Sequence, residues 1–425
     1  MGVLIVLIGL VMIFCGVPIA FVLGGTAVAA FMTSEFIPMV VFPQRVFAGM
    51  DQFPLMAIPF FILAGALMNQ SGMTVRLVRL SQAIVGRFRG ALAQVNVLVS
   101  IFFAGITGSA AADASAVGSV LIPAMEEDGY ETDFSAAVTA CSSLIGPIIP
   151  PSIPAVIYAI TAGVSVGEVL LAGIVPGLLL GLSQMVVVDY YARKRGYRSG
   201  TKFTFKQALG IIREAMWALI MPAIIVVGVA AGIFTPTEAA AVAVVYAFLV
   251  GRFVYKTLDA EKIKEALLEA GVMTGTVMLI VGVARAVSWY LAIEMIPQQF
   301  ASAMLSLTQN PYVFLFLVNI LLLVVGMVLE TTAALFILVP ILAPLAIQMG
   351  ISPVHFGAVL VLNLTIGLVT PPLGISMFIV SSIAKIPIEK VAKASIPFIL
   401  VSILVLLLLT YFPILAEWPG LILAL

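Results

Sequence analysis

Long apolar runs, each closed by glycine, proline or a short charged link, follow one another along the whole chain, and no water-facing surface can be assembled from them. Runs of about 20 apolar residues match the roughly 30 Å of hydrocarbon that a membrane helix crosses. Only 9% of the 425 residues are charged, against 63% hydrophobic, where a soluble domain carries about 25% charged residues. The class predicted is an all-α integral membrane protein with membrane lipid as its solvent. Formal net charge is zero and the few Lys and Arg sit in short clusters, so the chain has no nucleic-acid footprint. His355 is the single histidine, which excludes zinc motifs built on two histidines and any histidine relay. Cys15 and Cys141 lie inside apolar runs and read as small core residues. The run 2–14 has no basic leader and no small-residue cleavage site, so it reads as a retained span.

Several apolar runs are too short to cross a bilayer alone, and these carry the information. The predicted segments of the first half are 3–15, 19–31, 53–68, 92–104 followed by 114–125, 134–145 followed by 153–162, and 169–191. Those of the second half are 217–234, 237–253, 272–293, 312–329 followed by 332–347, 356–369 followed by 373–384, and 396–412. Laid over one another, the halves match Pro18 with Pro236, Pro123 with Pro340 and Pro150 with Pro371, at offsets of 218, 217 and 221 residues. The strings "LIPAM" and "LVPIL", and "IGPIIPP" and "IGLVTPP", agree at those places. Chance recurrence of proline in apolar helices is the plain alternative. Three landmarks at nearly one offset favour an internal duplication.

Positive charge orients the repeats. Four clusters stand out: Arg76, Arg79, Arg87 and Arg89; Arg193, Lys194, Arg195, Arg198, Lys202 and Lys206; Arg252, Lys256, Lys262 and Lys264; and Lys385, Lys390 and Lys393. The positive-inside rule puts all four on the cytoplasmic side. Segment 92–125 then enters and leaves from the cytoplasm and segment 312–347 from the outside, as inverted repeats require, and both termini lie on the far side.

Two stretches read as re-entrant hairpins with small or polar tips: "GITGSAAADASAVGSVLIPAM" from Gly105 and "GMVLETTAALFILVPIL" from Gly326. A polar tip cannot face lipid, so it is buried in protein or lines an aqueous cavity; tightly packed crossing helices are the competing reading. Each hairpin is followed by a helix interrupted by proline, at Gly146, Pro147, Pro150, Pro151 and Pro154 and at Gly367, Pro371, Pro372 and Gly374. Paired prolines stop a continuous helix, where a single one would only kink it. The break exposes carbonyl oxygens that suit an alkali cation, and helix N-termini that suit an anion. Intramembrane charges are few. Asp113 and Glu330, 217 residues apart, read as symmetry mates at the two tips, either capping half-helices or standing beside a cation. Arg285 meets a substrate carboxylate or an internal acid, and Glu238 after Pro236 reads as a helix cap.

The strings "AIPFFILAGALM", "GITGSAAAD", "SSLIGPIIPPSIPAVIYA", "GIFTPTEAAAVAVVYAF" and "NLTIGLVTPPLGISMF" resemble the large membrane subunit of tripartite ATP-independent periplasmic (TRAP) transporters, over nearly the whole chain. That resemblance implies an inverted-repeat, elevator-type transporter with two hairpins and two broken helices, in the bacterial inner membrane. It implies no enzyme but sodium-driven import of a small organic anion such as a C4-dicarboxylate or sialic acid. The partners implied are a small four-helix membrane subunit and a periplasmic substrate-binding protein. The division implied is 1–70 scaffold, 71–90 connecting arm, 91–163 first transport part, 164–215 linking helix and basic loop, 216–310 scaffold, 311–384 second transport part and 385–425 C-terminal helix.

Two or more Na⁺ sites come with the resemblance. Thr107 and Ser109, with the backbone of Gly146, Ile149 and Pro151, match the first; Gly326, Thr331, Gly367, Thr370 and Pro372 match the second. Asp113 and Glu330 match acidic hairpin positions of the family, Glu330 standing where relatives carry Asp. Ser143, Ser152 and Thr365 join Asp113, Arg285 and Glu330 as candidate substrate residues by location. Two other readings stay open on the residues alone: an ion-coupled carrier of the same architecture that needs no binding protein, and an intramembrane enzyme using Asp113 and Glu330 as an acid pair.

Overall fold

Proline and glycine divide the chain into helices, and hydrogen-bonding side-chain caps mark the starts of several of them. A computed structural model describes residues 11–12, 16–34, 37–200, 204–372 and 374–423. The expected segment 3–15 with Cys15, together with Lys202 and Leu373, lies wholly or in part outside the described residues. The helices are α1 (Ile19–Thr33), α2 (Val41–Met50), α3 (Ala57–Gln70), α4 (Met73–Val85), α5 (Ala91–Thr107), α6 (Ala110–Glu127), α7 (Thr132–Ser142), α8 (Ile153–Ala162), α9 (Val166–Ala172) and α10 (Ile174–Arg195). The second half supplies α11 (Phe205–Ala230), α12 (Pro236–Leu249), α13 (Ala260–Ile293), α14 (Ile296–Leu307), α15 (Pro311–Gly326), α16 (Thr331–Gln348), α17 (Pro353–Gly367), α18 (Ile375–Ala384), α19 (Ile388–Tyr411) and α20 (Ile414–Leu423). Among the described residues the only strand-like pairing is one antiparallel bridge, Arg89 to Ser199, and seven helical stretches are long and apolar enough to cross a membrane. The fold is an all-helical membrane architecture with two helical hairpins, α5–α6 and α15–α16, and two broken helices, α7–α8 and α17–α18.

Side-chain caps explain these starts. Ser109, Ser152, Ser165 and Asp259 each accept a backbone N–H of the helix that follows, which satisfies one of the orphan donors of a first turn. Thr235 and Glu238 form a reciprocal capping box at α12, as the sequence reading of Glu238 expects. Arms of 17 and 18 residues are about 26 Å long, whereas the ten residues of α8 or α18 reach only about 15 Å, half a bilayer.

The two repeats interlock. Helix α6 packs on α7 and on α18, the second half of the other repeat's broken helix; α16 packs reciprocally on α17 and α8. Paired asparagines stitch each hairpin to its own broken helix: Asn96 donates to Thr139 Oγ1 at 2.7 Å and accepts from Ser142, and Asn363 donates to Asn319 Oδ1 at 2.7 Å. A second group, α1, α2, α3, α12 and α13, packs side by side against this core. Contacts join the basic clusters. Arg76 stacks on Tyr255 at 3.8 Å and Thr257 donates to Ser71 O, Arg89 pairs with Ser199, and Arg195 lies over Phe134, which packs on Phe398 of the helix that carries Lys390 and Lys393, so the clusters gather on one face, as the charge-based reading requires.

Several boundaries differ from expectation. Segment 169–191 spans two helices that join at Gly173, where a side chain would collide with the Ile148 carbonyl. Helix α13 starts at Ala260 rather than 272 and runs 34 residues, its first turns being charged and Asp259-capped. The run 237–253 closes in a π-helical turn over Val250–Val254. Helices α2, α14 and α20 were not among the expected segments.

Candidate functional site

At the first tip the chain turns in only two residues, Gly108 and Ser109, between α5 and α6. Gly108 adopts φ +60°, and a β-carbon there would run into the carbonyl oxygen of Pro151; glycine is required on both counts. Gly146 in turn lies against the Ser109 carbonyl, where a β-carbon would be 3.2 Å away. Hairpin tip and helix break are therefore in direct backbone contact, as the sequence pairing of Thr107 and Ser109 with Gly146 and Pro151 expects. The Pro150–Pro151 and Pro371–Pro372 bonds are both cis.

The break leaves oxygens unused. The carbonyls of Gly146, Ile149 and Pro151 accept no hydrogen bond from any described residue. Thr107 Oγ1 and both oxygens of Asp113 are buried without a protein partner, Thr107 being 9% and Asp113 0% exposed. An unsatisfied buried hydroxyl costs about 1–3 kcal/mol, and a buried charge without compensation costs more. Ser109 is occupied as the α6 cap, its Oγ 3.4 Å from Ala112 N. Ser152 is likewise committed, accepting from Ala155 N at 3.1 Å and donating to the Pro147 carbonyl.

The second tip is built differently. Gly367 lies so close to the Gly326 backbone that it has no room for a side chain, and a β-carbon on Gly326 would sit tightly against Leu364 O at 3.1 Å, so here the break meets the end of the first arm rather than the start of the second. Thr331 Oγ1 is buried without a partner, at 2% exposure. Thr370 donates to Ile366 O at 2.8 Å, and the Gly367 carbonyl already accepts from Thr370 N, while the Pro372 carbonyl accepts nothing from a described residue. Glu330 is the N-cap of α16, accepting from Ala333 N and from Thr332 Oγ1 at 2.9 Å.

Glu330 and Asp113 are consequently not equivalent. Glu330 caps α16 as Ser109 caps α6, 221 residues apart, the same offset that relates Gly146 to Gly367 and Pro151 to Pro372. Asp113 lies one helical turn inside α6, where the second repeat has Ala334. Pro344 as well as Pro340 lies inside α16, and a one-turn slip between apolar helices leaves the sequence pattern almost unchanged, which is why the pairing at 217 misleads.

Of the remaining candidates, Ser143 donates to Ala140 O at 2.8 Å and stands 3.3 Å from Ser376 Oγ, joining the two broken helices. Thr365 donates to Val361 O within its own helix. Arg285 lies apart from the tips, its Cβ and Cγ packed on Gly49 of α2, and among the described residues no acid forms an ion pair with it; the two ion pairs are Arg193–Asp189 and Arg195–Glu131. No group of three His, Cys, Asp or Glu lies together among the described residues; the unpartnered oxygens at the first tip are the Thr107 hydroxyl, backbone carbonyls and, one turn on, the Asp113 carboxylate. A cleft also opens between the first tip and α3 and α13, lined by Thr107, Ser109 and Ala112 on one side and Asn69 and Glu269 on the other. Sequence reasoning passed over Asn69 and Glu269, since each belongs to a polar helix end that reads as a solvated link.

The chain matches the family model described as "Tripartite ATP-independent periplasmic transporter, DctM component" over residues 5–415. It is 40% identical over 399 residues to the isethionate TRAP transporter permease protein DctMQ of Oleidesulfovibrio alaskensis, covering 94% of this chain and 63% of that relative. To the sialic acid TRAP transporter large permease protein SiaM of Vibrio cholerae it is 39% identical over 402 residues, 95% and 94% of the two chains. The C4-dicarboxylate large permease protein DctM of Pseudomonas aeruginosa shares 37% over 380 residues, 88% and 89% of the two chains. Among solved structures, the Alcanivorax borkumensis YdaH transporter, described as having an unusual topology, superposes with a TM-score of 0.68 over 99% of this chain and 98% of that one at 16% identity, a likeness of fold.

Proposed function

The chain belongs to the DctM family of TRAP transporter large permeases, a transporter subunit and not an enzyme, and on that premise we propose that it imports a small organic anion coupled to Na⁺. The carrying observation is the first tip: Thr107 Oγ1 and the Gly146, Ile149 and Pro151 carbonyls, all without a protein partner, beside a break forced by paired prolines. Uncharged oxygens suit Na⁺, a hard cation that a thiolate or imidazole set would not select. The second repeat offers its own set, Thr331 with the backbone at Gly326 and Pro372, in which Thr331 takes the place of Ala110 rather than of Thr107.

The anion lies between these cations, facing the N-termini of α6 and α8, whose partial positive charge favours a carboxylate or sulfonate. An anion crossing hydrocarbon without counter-charge meets a desolvation cost of many kcal/mol, which makes the cations obligatory. Hairpins and broken helices move as the transport domain against a scaffold of α1–α3 and α11–α14, with α4 as connecting arm. A soluble binding protein delivers the anion outside, a small membrane subunit completes the assembly, and the bacterial inner membrane houses it. Relatives named for isethionate, sialic acid and C4-dicarboxylates share an acid group, the chemistry proposed for this cargo.

Reconstitution tests the reading. Proteoliposomes holding this chain with its small subunit, and supplied with the binding protein, accumulate the labelled anion under an inward Na⁺ gradient and stop when choline replaces Na⁺. Equal uptake in choline would overturn sodium coupling, and full uptake without the binding protein would favour a stand-alone carrier.

A further inference from the structure

Glu269 is an acid with no assigned task facing the first tip. It stands nine residues into α13, about 14 Å from the helix start at Ala260, on the α13 wall of the cleft whose opposite wall carries Thr107, Ser109 and Ala112. It is exposed and forms no ion pair among the described residues. Asn69, also exposed, lies beside it at the end of α3. From Asn69 the chain runs on to Ser71, whose carbonyl accepts from Thr257 at the face bearing the basic clusters, so Asn69 marks the end of the cleft nearer that face. Ala112 belongs to the first turn of α6, and Ile153, which begins α8, lines the same cleft. Two helix N-termini therefore line the cleft together with Thr107, whose buried hydroxyl has no protein partner.

We propose that Glu269 is a counter-anion for the cytoplasmic release step: its carboxylate competes with the cargo's acid group for the positive helix ends once the cleft is open inward. Resting on the functional reading above, this adds a residue of the opposite wall that acts on one side of the membrane only. A fixed negative charge on the exit path raises the free energy of a bound anion there and disfavours rebinding from inside, while Na⁺ leaving by the same cleft is favoured. When the hairpin core moves away from α13, outward-side affinity no longer senses Glu269. The asymmetry separates this role from a structural one.

The test uses the complete reconstituted transporter, comparing wild type with Glu269→Gln, Glu269→Lys and Glu269→Asp. External KM and inhibition of uptake by anion preloaded inside the vesicles are measured for each. The expected result is half-inhibition at an internal concentration about threefold lower for E269Q and about tenfold lower for E269K, with E269D near wild type and external KM unchanged in all. An unchanged internal inhibition constant in E269Q and E269K, or an equal shift in external KM, overturns the proposal. Failure of the functional reading would show separately, as wild-type uptake indifferent to Na⁺. Should E269K fail to assemble, E269Q and E269D decide by the same readout, since an exposed Glu→Gln change leaves shape intact.

Discussion

Thr107 and Thr331 are each one hydroxyl away from valine, so each can lose its oxygen without losing its volume. Thr107→Val removes a buried oxygen that has no protein partner; the account expects unfolding stability in the absence of Na⁺ to be unchanged or higher, because an unsatisfied group has gone. Uptake should then need at least tenfold more Na⁺ for half-maximal rate, measured as initial rate against Na⁺ concentration. The opposite pattern is expected at Asn96. Asn96→Leu strands Thr139 and Ser142 in a buried network, and a loss of about 1–3 kcal/mol in stability, read from thermal unfolding in detergent, should appear whether or not Na⁺ is present. Thr107 entered through the family resemblance of the string "GITGSAAAD", and the structure adds that its hydroxyl is buried without a protein partner. Asn69 and Glu269 were not, because what makes them matter is the wall across from them. Asp113 was found, but its partner was misassigned, since a one-turn shift along apolar helix alters nothing that hydropathy records.

The proposed sites lie at helix ends rather than on helix bodies. Pro151→Ala and Pro372→Ala restore an N–H and the freedom to continue a helix at the two breaks, and uptake should be abolished in both while each variant elutes as a folded particle in size-exclusion chromatography. Retained Na⁺-dependent uptake would contradict the assignment of the breaks as binding elements. Gly108→Val places a side chain against the Pro151 carbonyl in a left-handed conformation; the tip must lift off the break, with loss of uptake and of Na⁺-induced stabilisation together. The breaks and tips could be read from sequence because glycine and paired prolines are incompatible with an uninterrupted helix. Helix α2 could not, since Pro43, Gln44 and Arg45 interrupt its apolar run, and α13 begins in charges that resemble a loop. Gly173 at the joint lies against the Ile148 carbonyl, a contact that only the folded chain possesses.

Across the whole molecule, the repeats exchange their half-helices: α6 lies on α18 and α16 on α8, so the two tips belong to one interlocked body. It rests on the flanking helices through α13 against α16 and α3 against α5, with Gly65 of α3 against the backbone of Ile106 and Thr107 and Ser288 of α13 donating to Phe336 O at 3.0 Å. If the interlocked body slides during transport, a cleavable thiol cross-linker joining Ser288→Cys to Phe336→Cys in a chain lacking Cys15 should stop uptake, and cleaving the linker should restore it. The central claim is narrower and does not need transport to be tested. It is that oxygens at the two tips hold Na⁺. Binding to the folded state alone raises stability by RT ln(1 + [Na⁺]/Kd), about 1.4 kcal/mol per site at ten times Kd. The most direct measurement is therefore the unfolding midpoint of the purified chain in detergent, titrated with NaCl at constant ionic strength and compared with KCl. The account predicts a midpoint that climbs with Na⁺ but not K⁺ in the wild type and stays flat in the Thr107→Val, Thr331→Val double variant; an equal climb in K⁺, or an undiminished Na⁺ response in the double variant, would contradict it.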